Sequence, residues 1–225
     1  MPPVEPPPPR YAEWREYFFG RCGKDCDVWK LDWDHDFDST TMAGCFAWCM
    51  NRAGPELLRY DNWHVANGLN LLLNDVHCLH DMLKPEVSED LRLGVVASLG
   101  PLYRQCLRLR SAPVLSHRGE ETDNPLGYIT YMLWDISCLR HWIGTTNPTT
   151  GKSMLVETLG AVLCDKPNNP ACIESVLHGF GHMIGQFPKY REQMQAEIDR
   201  FITTRPILRP ELSAYAAAAY SGCVQ

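Results

Sequence analysis

The chain has 225 residues, 45% of them hydrophobic and 21% charged, and a formal net charge of −6. Those values describe a folded domain with one sizeable core or two small ones. The acidic balance excludes nucleic acid as the main partner, because neutralising phosphates takes clustered Lys and Arg; it suits a basic protein partner.

The start, MPPVEPPPPR, lacks the basic-then-apolar pattern of a secretory signal. It reads as a disordered, extended Pro-rich arm over residues 1–10, with an SH3-type ligand as the alternative. Residues 11–225 read as one helical-repeat-like domain. No apolar stretch reaches the roughly 20 residues of a membrane span, so no membrane partner is expected. Ten cysteines are scattered along the chain, many among apolar residues. Without an export signal they read as reduced, buried thiols in a cytoplasmic protein. Cys22/Cys26 and Cys45/Cys49 are spaced four apart, as on a helix face and unlike the C-x-x-C of a zinc ribbon.

Helix follows helix, with no run of β-branched alternation between turn signals. RYAEWREYFFGRC is a short amphipathic helix ending near Gly20 or Gly23. DWDHDFD follows and lacks the Gly and Glu of a calcium loop; it reads as an extended acidic approach, with Asp38 or Ser39 capping a helix to about Arg52. Asp61 can cap a long helix through NWHVANGLNLLLNDVHCLHDML, with Pro85 stopping it and opening another to about Arg110. Pro101 must kink or split that helix. Asn124–Pro125 and Asn169–Pro170 are caps followed by first-turn prolines. The first opens LGYITYMLWDISCLRHWI, and a helix over about Lys152–Cys164 separates the two. YREQMQAEIDRFI shows Tyr190, Met194, Ile198, Phe201 and Ile202 on one face. Pro210 opens the last helix and Gly222 ends it. The fold class is all-α: stacked antiparallel helix pairs, either a HEAT-like α-solenoid or a compact helical array.

Two stretches stand out. Within ESVLHGFGH, Glu174, His178 and His182 share a helix face opposite an apolar arc of Val176, Leu177, Phe180, Met183 and Ile184. Gly181 and Gly185 lie on the polar side and mark a close approach by a neighbour. Gly179 stands where a metalloprotease H-E-x-x-H has its glutamate, so that reading fails. Packing, a partner surface and a metal site remain open for the three residues. On the long helix, Val65, Leu69, Leu72, Val76, Leu79 and Leu83 form an apolar stripe, and Asn67, Asn70, Asn74, His77 and Asp81 form a polar one. Asparagine is a poor interior helix residue, so this stripe is expected either to bond neighbouring loops or to read a partner.

No G-x-S-x-G, P-loop or dinucleotide fingerprint is present. Ten cysteines and eight histidines allow many Cys–His pairings, none singled out by spacing. DWDHDFD, NGLNLLLNDVHCLHDML, ITYMLWDIS, CIESVLHGFGHM, EIDRFI and RPELSAYAAAAYSGCVQ together resemble a family of uncharacterised bacterial proteins over most of the chain after residue 10. The resemblance implies an all-helical, HEAT-like, bacterial and cytoplasmic protein and supplies no catalytic residues. The expectation is a non-catalytic protein-binding module with no cofactor and no resident metal, in its sharpest form an immunity protein neutralising a basic toxin. Its binding residues would be Asn67, Asn70, Asn74, His77, Asp81, Glu174, His178 and His182. The alternative is a metal-dependent hydrolase built on Glu174, His178 and His182, joined by His77 and Asp81.

Overall fold

The computed structural model describes residues 5–32, 34–74, 78–137, 139, 149–166, 169–204 and 209–224. Among them the chain is helical, with no strand. Residues 5–10 lead into α1 (Tyr11–Phe19), with the Tyr11 N–H donating to the Pro8 carbonyl at 3.2 Å. The acidic approach folds back on α1: Arg10 pairs with Asp36 at 2.6 Å, and the Tyr17 hydroxyl donates to the Asp34 carbonyl. Asp38 then caps α2 (Ser39–Asn51), its carboxylate accepting the Thr41 N–H at 2.7 Å. After the short α3 (Ala53–Leu57), Asp61 caps α4 (Asn62–Leu73) in the same way through the His64 N–H.

The long helix expected from residue 62 is interrupted. It ends at Leu73, Asn74 turns extended at ψ 132°, and α5 (Leu79–Met82) starts afresh. An asparagine at that point competes for backbone groups and favours the exit. Val76 and His77 lie outside the described residues, as does Trp33.

Helix α6 (Glu89–Leu102) begins four residues later than Pro85, because Ser88 supplies the cap. Pro101 lies in its last turn, and the chain widens immediately after it into a π turn at Tyr103–Leu107 before α7 (Arg108–Arg110). A proline has no N–H to give the preceding turn, and a π turn absorbs the mismatch without ending the helix.

Asn124 caps α8 (Pro125–Ile136) through the Leu126 N–H. Ser137 is extended, so α8 stops short of the expected Ile143; residues 140–148 lie outside the described residues. Then come α9 (Thr149–Cys164), α10 (Pro170–Gln186), α11 (Arg191–Thr204) and α12 (Pro210–Ser221). Asn169 caps α10, and Gly222 closes α12 at φ 75°. That left-handed turn is where glycine is required.

The long helices alternate between two layers. In one, α1, α4, α8, α10 and α12 pack each against the next; in the other, α2, α6, α9 and α11 do the same. This is the stacked-pair arrangement expected from the short loops. Helix α10 is walled in on nearly all sides: Ala171 to Gly181 is buried without a break, as are Met183 and Ile184. Its glycines admit neighbours. A Cβ on Gly179 would stand 2.6 Å from the Trp134 ring, and one on Gly181 would stand 2.5 Å from Val224.

One cysteine expectation needs correction. Cys22 and Cys26 are joined in a disulfide, with Cα atoms 5.2 Å apart. The spacing of four falls in a loop that doubles back, the Cys26 N–H reaching the Gly23 carbonyl, so it is not helix-face spacing. Cys45, Cys49, Cys78, Cys106 and Cys172 are free and buried, as expected.

Candidate metal centre

Helix α10 carries Glu174, His178 and His182 at successive four-residue steps, and the structure sends them to different places. Glu174 is fully buried and points into the loop between α7 and α8. Its carboxylate accepts the Ser116 N–H at 2.9 Å and the His117 N–H at 2.9 Å, and lies 2.5 Å from His117 Nδ1. Three contacts commit it to that loop as an internal anchor, and it does not converge with the two histidines. The cluster expected from spacing alone therefore loses its carboxylate.

A different carboxylate takes its place. Asp135, in the last turn of α8, lies beside the two histidines. His178 Nε2 is 2.9 Å from Asp135 Oδ2, His182 Nε2 is 3.2 Å from Asp135 Oδ1, and the two Nε2 atoms are 3.1 Å apart. The His178 side chain is 2% exposed, against 23% for His182 and 28% for Asp135, so the trio is walled on one side and opens to solvent on the other. It is the one group of three such ligand atoms converging among the described residues.

Behind His178 the setting is aromatic. Its Nδ1 is 2.7 Å from the Tyr215 hydroxyl on α12, and the Tyr131 ring of α8 lies 4.6 Å from its own. His117 stacks on Tyr215 at 4.2 Å and 17°. Burial pushes the Tyr215 phenol above its ordinary range, helped by Tyr131 and by the Glu174 and Asp135 carboxylates; burial raises Tyr131 as well. Both phenols therefore stay protonated at neutral pH.

The asparagine stripe lies elsewhere. Asn67 donates to the Cys22 and Gly23 carbonyls at 3.0 and 3.2 Å, a bond to a neighbouring loop. Asn70 borders a groove of about 650 Å³ with Asn67, Trp63 and Tyr128. Asn74 is the residue at which α4 ends. Asp81 pairs with Lys84 at 2.6 Å on α5, which packs against α2. Helix α8 packs against both α4 and α10, which separates the described members of this stripe on α4 from the histidine pair.

Five of the described thiols, Cys45, Cys49, Cys78, Cys106 and Cys172, are free and buried. Burial pushes Cys45 and Cys106 up to about 11 and Cys49, Cys78 and Cys172 up to about 12, which leaves them as inert thiols. No helix among the described residues is long and apolar enough to cross a membrane.

No protein-family model, curated protein or solved structure matches the chain.

Proposed function

We propose that the chain binds one divalent transition metal through Asp135, His178 and His182, and uses the solvent-facing coordination positions for hydrolysis. One observation carries the reading. The Nε2 atoms of His178 and His182 lie 3.1 Å apart, and each lies 2.9 or 3.2 Å from its own oxygen of the Asp135 carboxylate. While the Asp135 carboxylate is ionised and no cation is bound, no placement of the ring protons satisfies all three contacts. If both Nε2 atoms carry protons toward Asp135, two donors face each other. If only one does, the other nitrogen turns a lone pair toward a carboxylate oxygen. A cation taking all three lone pairs removes the conflict. The spacing fits: bonds of about 2.1 Å set ligands about 3.4 Å apart in a tetrahedron and about 3.0 Å apart as neighbours in an octahedron.

Two histidines and a carboxylate on one side of an ion leave the other side for water and substrate. A bound water loses its proton near neutral pH in such sites, which supplies a nucleophile. The donor set suits zinc, iron or manganese. This departs from the expectation of a metal-free module and replaces Glu174 by Asp135 in the hydrolase alternative.

Elemental analysis of protein purified without a histidine tag is the test. About one equivalent of zinc, iron or manganese per chain is expected, together with a loss of thermal stability in chelator. Trace metal and an unchanged melting curve in chelator would sink the proposal.

A second reading keeps the array as a non-catalytic protein-binding module, in its sharpest form a bacterial immunity protein against a basic toxin. Leu58 and Leu109 favour it, exposed at 77% and 69% on adjoining segments. Arg110 ties those segments by donating to the Leu57 and Tyr60 carbonyls. The net charge of −6 complements a basic partner. An L58D/L109D double variant should lose binding to the purified product of the adjacent gene; equal binding by both proteins, or none by the wild type, rejects it.

A further inference from the structure

We infer that Tyr215 is a positioning residue of the metal centre, held in place by His117 and Glu174; the inference rests on the metal reading above. A histidine that binds metal through Nε2 carries its proton on Nδ1, and the acceptor of that proton fixes the plane of the ring. For His178 the neighbour at Nδ1 is the Tyr215 hydroxyl, 2.7 Å away. Tyr215 is 6% exposed and comes from α12, a different helix from either set of ligands. Its hydroxyl oxygen is placed to accept the Nδ1–H.

The tyrosine is itself seated. One face is covered by the His117 ring at 4.2 Å and 17°. His117 is fixed at two points by one carboxylate oxygen: its backbone N–H donates to Glu174 Oε1 at 2.9 Å, and its Nδ1 lies 2.5 Å from the same atom. The Ser116 N–H takes the other oxygen. The circuit therefore leaves α10 at Glu174, crosses the loop and α12, and returns to α10 at His178. Glu174 thus serves the centre at two removes and never touches the ion. Each link is short and buried or half-buried, which is what holding a ligand ring to within a few tenths of an ångström requires.

The experiment compares the wild type, Tyr215→Phe and the control Tyr220→Phe. Tyr220 lies on the same helix and is 37% exposed. Tyr215→Phe removes one oxygen and keeps the ring that stacks on His117. Zinc affinity is read by competition with a chromophoric chelator, and site geometry by the visible bands of the cobalt-substituted protein. Tyr215→Phe should keep one site per chain, bind zinc 10- to 100-fold more weakly and shift the cobalt bands, while Tyr220→Phe matches the wild type. Its metal-free melting temperature should stay within a few degrees of the wild type. A wild type that binds one zinc with Tyr215→Phe within twofold of it would overturn this inference alone. A wild type that binds no zinc overturns the metal reading and this inference with it.

Discussion

Replacing Asp135 by asparagine is expected to strip the chain of its metal while leaving the helices in place. The substitution keeps the shape of the side chain and removes its charge. It leaves two neutral imidazoles and an amide oxygen for a divalent cation. A loss of at least about 100-fold in affinity is expected, or about 2.8 kcal/mol at 1.4 kcal/mol per decade. The larger readout is linkage. A ligand at a thousand times its Kd stabilises the folded state by about 4 kcal/mol, and a hundredfold loss of affinity should cut that increment to about 1.4 kcal/mol or less in Asp135→Asn. Urea unfolding with and without added zinc measures it. Asp135 is 28% exposed at the end of α8, so the metal-free variant should unfold close to the metal-free wild type. A variant stabilised by zinc as strongly as the wild type would reject Asp135 as a ligand.

The second large effect is at Glu174 and concerns stability. Replacing a buried ion pair by apolar groups of the same size can be harmless when both partners are replaced. Here two of the donors are the backbone N–H groups of Ser116 and His117, which no substitution of Glu174 can remove. Glu174→Leu leaves them unpaired in a dry interior, with the His117 ring beside them. The expected cost is roughly 3–5 kcal/mol, a large fraction of the stability of an ordinary domain. Glu174→Gln keeps the shape but brings its own amide protons against a donor, and should lose an intermediate amount. Denaturant midpoints rank the three proteins. Hydrogen exchange at the amides of 116 and 117 should accelerate in Glu174→Leu beyond any global change. A Leu variant within about 1 kcal/mol of the wild type would show that the loop does not depend on this anchor.

Much of the fold could be read locally. Asn124–Pro125, Asn169–Pro170, Asp38, Asp61 and Gly222 each announce a helix end through a few neighbouring residues, and each does so in the structure. The failures have a common origin in what lies beyond a single helix. Four-residue steps advance about 40° around an α-helix, so Glu174 and His182 differ by about 80° in heading. Spacing makes them neighbours, yet one enters a loop and the other meets solvent. Asp135 is 43 residues from His178, at the end of another helix, and nothing in its own surroundings marks it. Tyr215 is equally silent, an aromatic in an alanine-rich helix. A Cys22–Cys26 spacing of four fits a helix or a turned loop, and the turn brings the two sulfurs together. Asn74 signals the end of the long helix at Leu73, but the same residue also continues the polar stripe, and the pattern of the stripe masks the stop.

In a stack whose members touch mainly their neighbours, stability is a sum over neighbouring contacts. Helix α12 packs on α10. It lends Tyr215 to His178 and rests against α10 along the Gly181, Gly185 and Gly222 backbone. An ion held between α8 and α10, with α12 pressed against one of its ligands, would bind three successive members of that layer together. Peeling α12 away would then loosen the metal, and loading the metal would lengthen the life of that helix against proteases. The centre would then govern how long the protein persists as well as what chemistry it performs.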